Sequence, residues 1–316
     1  MSLPLPPLLL ALLLAAGLTG DARAESAGTL PSGADVVYLG VGGATYASID
    51  VNDGAAVSEG ARDRAYKLRL DTYYAHGFTD RFQLSAWAAP AAAGFVTDTA
   101  GLPCPDIGER GGAYEGYCDP TVSVGEVGVQ ARYRLSRGDW RVTAGLAALG
   151  DPWNAGTRGR YTAVGVGTLG LAPGLYLGRD FELGGRPSGV VAYANYIWRL
   201  TPTLEEGSLA GQTPPDVAGG GVEWRLGFGR WTGQLAVAGG SRVGGLLWNE
   251  PFVDEYWPTD ERWLALRDRY LKAEAKASLA LGDSAGLHLS AGRMLLATNT
   301  SETLTDVAIG VHRYFP

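Results

Sequence analysis

Between Leu271 and Leu279 the chain reads Leu-Lys-Ala-Glu-Ala-Lys-Ala-Ser-Leu, apolar at every odd position and charged or polar between. Successive side chains of a strand point to opposite faces, so this segment has one greasy face and one ionised face. The same period recurs along the chain. Tyr66, Leu68 and Leu70 alternate with Lys67, Arg69 and Asp71, and Val222, Trp224, Leu226 and Phe228 alternate with Glu223 and Arg225. Val127, Val129, Ala131, Tyr133 and Leu135 alternate with Glu126, Gln130, Arg132 and Arg134. The final segment carries Val307, Ile309, Val311 and Phe315 on one face, with Asp306, Gly310, His312 and Tyr314 on the other. A sheet built this way needs an apolar medium on one side and a polar one on the other.

The start of the chain points to export. Residues 3–20 are almost wholly apolar, and Ala22-Arg23-Ala24 offers small residues where a signal peptidase reads, so residues 1–24 are expected to be a cleaved signal peptide. An uncleaved anchor helix is the competing reading, but the apolar core is short for a span. No cysteine stands at the cleavage point, which argues against a lipoprotein. Beyond the leader, charges or glycines interrupt every apolar run, so no transmembrane helix is expected. Strands can cross lipid only when closed on themselves, because every backbone N–H and C=O there needs a partner. The expected fold is therefore all-β: a transmembrane antiparallel β-barrel of about twelve strands. It is expected over residues 35–316, in a bacterial outer membrane, after a short periplasmic segment over 25–34.

The layout agrees. Strands are expected near residues 35–48, 64–76, 82–93, 122–135, 140–150, 161–178, 188–200, 217–228, 231–240, 269–281, 287–297 and 304–315. Tight connections such as Gly77–Asp80, Ser136–Asp139, Gly229-Arg230 and Gly282–Ala285 alternate with long ones, and Asp180–Pro187 is the longest of the tight set. Short and long connections sorted to opposite ends put both termini in the periplasm. Tyr (15) and Trp (9) outnumber Phe (7), as suits rings at a headgroup layer, and the 47 glycines suit bent strands.

Charge and cysteine content narrow the partners. A net charge of −7, spread along the chain, argues against nucleic acid. Cys104 and Cys118 share one polar stretch and are expected to pair as a disulfide in an oxidising compartment. Two thiols without nearby histidines make an incomplete metal shell, and neither a metal nor a cofactor is expected. The expected partners are outer-membrane lipid, the barrel-assembly machinery through the C-terminal strand, and a small-molecule solute.

A Lys or Arg facing lipid at the midplane costs about 2–4 kcal/mol, so the charged set is expected to line the lumen. That set is Lys67, Arg69, Asp71, Glu126, Arg132, Arg134, Arg141, Glu223, Arg225, Lys272, Glu274 and Lys276. Two readings compete: a salt-bridge network filling a narrow barrel, and a lined passage for a small solute. Basic residues outnumber acidic ones in this set, eight to four, which favours anions. Arg293 breaks its strand's pattern, and a bulge near Gly292 is expected to turn it inward.

The segment 241–268 holds Trp248, Phe252, Tyr256, Trp257 and Trp263. In an external loop these rings form either a capture site for apolar solute or packing within the outer aromatic belt. His288-Leu289-Ser290-Ala291-Gly292-Arg293 is the one catalytic candidate. It resembles the His-x-Ser-x-Gly-Arg segment of the outer-membrane phospholipase, whose site lies on the lipid-contacting face. Here Leu287 and Leu289 take that face, no Asn is placed to orient His288, and hydrolysis by His288 and Ser290 is the lesser reading. His312 is expected across from His288.

Three stretches carry a family likeness. Tyr73–Leu84 contains a strand, a Gly-Phe-Thr-Asp-Arg turn and a strand; Val124–Leu135 is a Gly-rich strand ending Arg-Tyr-Arg-Leu; Gly165–Leu175 reads Gly-Val-Gly-Thr and then Pro-Gly-Leu. Together they resemble the outer-membrane barrels named for the meta-pathway of phenol degradation, which are related in architecture to outer-membrane transporters of fatty acids and aromatic hydrocarbons. The likeness spans about the second to seventh strands. Where a Pro-Thr-Gly piece is expected after the fifth strand, the chain has Leu149-Gly150-Asp151-Pro152. The resemblance implies passive uptake of small, aromatic or apolar molecules and transfers no functional residue. A structural or adhesion barrel with a plugged lumen is the alternative.

Overall fold

The computed structural model describes residues 28–46, 55–56, 65–96, 120–136, 138–153, 167–201, 215–243, 269–298 and 303–316. Among them no helix is long and apolar enough to cross a membrane. The strands are β1 (Asp35–Tyr46), β2 (Ala55–Ala56), β3 (Ala65–Thr79), β4 (Phe82–Val96), β5 (Thr121–Ser123), β6 (Val127–Arg134) and β7 (Trp140–Gly150). They continue as β8 (Leu169–Leu183), β9 (Arg186–Thr201), β10 (Asp216–Phe228), β11 (Trp231–Val243), β12 (Arg269–Gly282), β13 (Ala285–Thr298) and β14 (Thr303–Phe315). β2 pairs with β13, and β5 pairs with β4. The other twelve strands form one closed antiparallel ring in chain order, sealed by β14 against β1. Closure gives every wall strand two neighbours and leaves no open edge in lipid.

The tight turns gather at one end with Asp35 and Phe315, which pair with each other. Gly184-Gly185 is one such turn, with φ of 59° and 72°. Two successive left-handed residues make the primed hairpin turn whose twist matches its strands. β8 therefore runs on to Leu183 and β9 starts at Arg186, where a longer connection over Asp180–Pro187 was expected. At its other end β8 starts at Leu169, later than the expected 161.

The strand expected over 122–135 is split at Val124–Glu126. The cause lies on β4. Asp71 of β3 faces two residues, Ala89 and Pro90, in a register shift, and a proline has no N–H to give a ladder. Opposite that shift, β4 bonds irregularly: Ala89 N–H donates to Glu126 O at 3.0 Å, and Gly125 N–H donates to Ala89 O at 2.7 Å.

One face of the ring is apolar and exposed, with Val37, Leu39, Leu68, Leu84, Val129, Leu146, Leu175, Val222, Leu235, Leu289 and Val307 spread around it. Aromatic rings stand at the strand ends: Trp140, Phe228, Trp231 and Phe315 toward the turns, Tyr66, Phe95 and Trp198 toward the long connections. An apolar band between two aromatic girdles is the exterior a bilayer requires. The opposite face is polar, and Gln83, Ser85, Thr143 and Gln234 are buried on it.

The N-terminal stretch Gly28–Ala34 is seated at the turn end, on the polar side of the wall. Leu30, Ala34, Val36 and Ala75 form a buried apolar cluster with Tyr73 and Tyr314 packed against it. Leu30 N–H donates to Gln83 Oε1 at 2.9 Å, Ser32 N–H to Asp80 Oδ1 at 2.9 Å and Gly33 N–H to Gly77 O at 2.7 Å. Gly77 permits this approach, because a Cβ there would lie 2.1 Å from Pro31 O.

Candidate functional site

Residues facing one another across an antiparallel ladder share a face, so the registers trace the polar face around the ring. Lys67, Arg69 and Asp71 on β3 face Ala44, Gly42 and Gly40. Arg132 on β6 faces Gln83 and Gly145, Arg134 faces Thr143, and Arg141 on β7 faces Gly178. Glu223 and Arg225 on β10 face Ala236 and Gln234, which in turn face Glu274 and Lys276 on β12. Lys272 faces Ala238. These residues all lie on the side opposite the exposed apolar band. Glu126 falls in the break between β5 and β6, and its Oε1 accepts a 3.0 Å hydrogen bond from Trp87 Nε1.

The charges are arranged differently on two sides of the ring. On β12, β14 and β3, unlike charges meet in pairs: Arg69 Nε–Asp71 Oδ2 at 2.8 Å, Lys272 Nζ–Asp306 Oδ1 at 2.7 Å and Lys276 Nζ–Glu274 Oε1 at 3.4 Å. The Lys272–Asp306 pair reaches across β13 over Gly292. A Cβ at that position would lie 2.4 Å from Asp306 Oδ1 and 2.6 Å from Lys272 Cε. Lys67, Arg69 and Lys272 also surround a small recess with Asp306 and Gly42.

On β6 to β10, four guanidiniums gather. Arg141 Nη2 lies 2.6 Å from Asp180 Oδ2, and Arg225 Nη2 bonds the other oxygen of the same carboxylate. Arg132 Nε donates to Gln130 Oε1 at 2.7 Å, and its guanidinium lies 4.4 Å from the Tyr176 ring centroid. Among the described residues Arg132 and Arg134 have no carboxylate partner. Ser85 Oγ, Arg134 Nε, Arg141 Nε and Gln234 Nε2 are buried donors without acceptors.

Sequence reasoning missed Asp180, Ser85, Tyr176 and Gln234 as parts of this face, while the alternation had already put Gln130 and Asp306 on it. Asp180 was hidden in a stretch read as a turn. The alternation in β4 and β8 supplied the signal for Ser85 and Tyr176.

The catalytic candidate is rearranged. His288 and Ser290 do share the polar face, but Ser290 does not bond His288. Instead Ser278 Oγ lies 2.6 Å from His288 Nδ1, and His288 Nε2 bonds His312 Nδ1. The two imidazoles stack with centroids 4.2 Å apart, so His312 does lie across from His288. Arg293 also departs from expectation. The register shift lies beyond it, where Lys272 faces Met294 and Leu271 faces Leu296, so Arg293 stays on the apolar side near the loop end. There a long side chain reaches the headgroup layer. Residues 1–24, expected to be a signal peptide, Cys104 and Cys118, and the ring set Trp248, Phe252, Tyr256, Trp257 and Trp263 lie outside the described residues.

A solved outer membrane channel from Pseudomonas putida F1 aligns with a TM-score of 0.61 at 14% identity, covering 93% of this chain and 100% of its own. The NanC porin aligns at 0.45 with 10% identity, over 88% of this chain and 99% of its own. The KdgM porin aligns at 0.42 with 9% identity, over 89% and 99%. No family model and no curated protein matches the chain. At 14% identity the likeness to the Pseudomonas channel is one of fold, and it agrees with the closed ring and its apolar exterior. The chain is an outer-membrane β-barrel.

Proposed function

We propose that the barrel is a passive channel for small solutes, with the charged face lining its passage. The observation that carries this reading is water contact on that face. Side chains of Arg69 (49% exposed), Asp71, Lys276 and Glu274 (26% each) remain accessible although they point away from the apolar exterior. A lumen packed solid by its own ion pairs would leave these groups dry. The stacked Tyr176 and Tyr193 rings and Trp87 on the same face offer apolar surface beside the charges, which supports solutes with an aromatic or apolar part. The resemblance to the phenol meta-pathway barrels points the same way. We also propose that β14, ending in Phe315, is the segment the barrel-assembly machinery engages, and that the aromatic loop around Trp248–Trp263 receives solute. The hydroxyl bonded to His288 is that of Ser278 and not Ser290, so the described geometry does not favour the hydrolytic reading.

Purified protein in planar bilayers tests the channel. Stepwise ion conductance is expected. A barrel that is folded, as judged by heat-modifiable mobility, yet electrically silent favours a plugged structural role instead.

A further inference from the structure

We infer that the guanidinium belt formed by Arg132, Arg134, Arg141 and Arg225 is a binding site that selects small carboxylates. The inference rests on the channel reading and names its solute class. The belt is continuous. Arg132 and Arg134 are two apart on β6, hence on one face, and Arg134 faces Thr143, the neighbour of Arg141 on that face of β7. Asp180 then ties Arg141 to Arg225. Against these cations stands one bonded carboxylate. The next acids on this face are Glu182, exposed at the turn, and Glu223, one strand step toward the loop end beside Ala236. Lys276 adjoins the belt through Gln234 but is held by Glu274.

Hydrogen-bond chemistry points to the same ligand. A buried donor without an acceptor is costly, and this region holds several: Ser85 Oγ, Arg134 Nε, Arg141 Nε and Gln234 Nε2. Ser85 on β4 faces Gln130, and Gln234 on β11 faces Arg225, so the donors bracket the belt on both sides. Among the described residues these four donors have no acceptor within hydrogen-bond reach. A carboxylate supplies two oxygens in the plane that a guanidinium fork matches bidentately.

The test uses the full-length protein in planar bilayers with a KCl gradient, and sodium benzoate as the probe. The wild type is expected to show a reversal potential of anion preference and a chloride current that benzoate inhibits saturably. Arg134→Gln is expected to raise the half-inhibiting benzoate concentration about tenfold, equivalent to about 1.4 kcal/mol. Arg134→Lys should restore anion preference but not benzoate inhibition, because an ammonium lacks the fork. If Arg134→Gln does not fold, Arg132→Gln and Ser85→Ala probe the same belt from neighbouring strands. A conducting channel indifferent to benzoate, or inhibited equally in Arg134→Gln, overturns the carboxylate site and leaves the channel standing. A silent barrel overturns the channel reading, and benzoate quenching of tryptophan fluorescence then decides the site alone: no saturable quenching overturns it.

Discussion

Two sides of one polar face solve the problem of charge in a membrane differently. On β12, β14 and β3, each described acid sits on a base: Lys272 on Asp306, Lys276 on Glu274, Arg69 on Asp71. On β6 to β10, Arg141 and Arg225 share Asp180, and Arg132 and Arg134 have no carboxylate partner among the described residues. A matched pair satisfies its charges within the protein and gives a passing solute little to bind. A row of unmatched cations leaves positive potential directed at whatever occupies the lumen. On the proposed channel reading, the paired side acts on the stability of the ring and the belt acts on the solute.

The largest effect is expected from breaking a pair. Asp306→Asn leaves Lys272 facing Gly292 without its counter-charge. Both side chains keep some water contact, so the loss is expected to be about 2 kcal/mol, less than for a fully buried pair. Denaturant unfolding in lipid bilayers measures it, and an unchanged midpoint would refute a stabilising role for the paired side. Benzoate inhibition should survive this substitution. The reverse experiment gives the belt a partner. Gln130→Glu places a carboxylate where Arg132 Nε now bonds an amide oxygen at 2.7 Å. Unfolding should hardly change, while benzoate inhibition should weaken about tenfold, the loss of about one charge-assisted hydrogen bond. Undiminished inhibition in Gln130→Glu would show that the two sides do not differ in function.

How much of this contrast the sequence discloses depends on the distance over which its causes act. The faces are readable because alternation is local: Lys272, Glu274 and Lys276 fall on one side of β12 by spacing alone, and the bounds of β7 at Trp140 and Gly150 follow from the turns beside them. The break between β5 and β6 is not readable from its own residues, because its cause is Pro90 on the neighbouring strand. The same holds for Arg293, whose side is set by a register shift between Leu271 and Lys272 on β12. Ion pairing is the least local of all. Lys272 finds Asp306 two strands away only because Gly292 leaves space between them. Asp180, the hub of the belt, was missed for a different reason: the Gly184-Gly185 turn is so short that strand residues on either side of it read as connection.

The two sides also differ at the turn-end mouth, and that difference gives the smallest and most local test. The segment Gly28–Ala34 sits on the paired side, with Leu30 buried against Val36 of β1, Ala75 of β3 and Tyr314 of β14. No such cover is described over Arg134 and Arg141. Gly77→Ala would place a methyl group 2.1 Å from Pro31 O and 2.9 Å from Leu30 O, backbone atoms that cannot step aside without lifting the segment. The expected cost is about 1–2 kcal/mol, in the range for overpacking a fitted contact. If the segment narrows the mouth, conductance rises in Gly77→Ala, and rises equally when residues 28–33 are deleted. Anion preference should change little, because the segment reaches only Gln83 at the Arg132 edge of the belt, and Arg134, Arg141 and Arg225 do not bond it. A rise in conductance with altered preference would mean that the segment also screens the belt, and no rise in either variant would mean that the mouth is already wider than the constriction that limits flow.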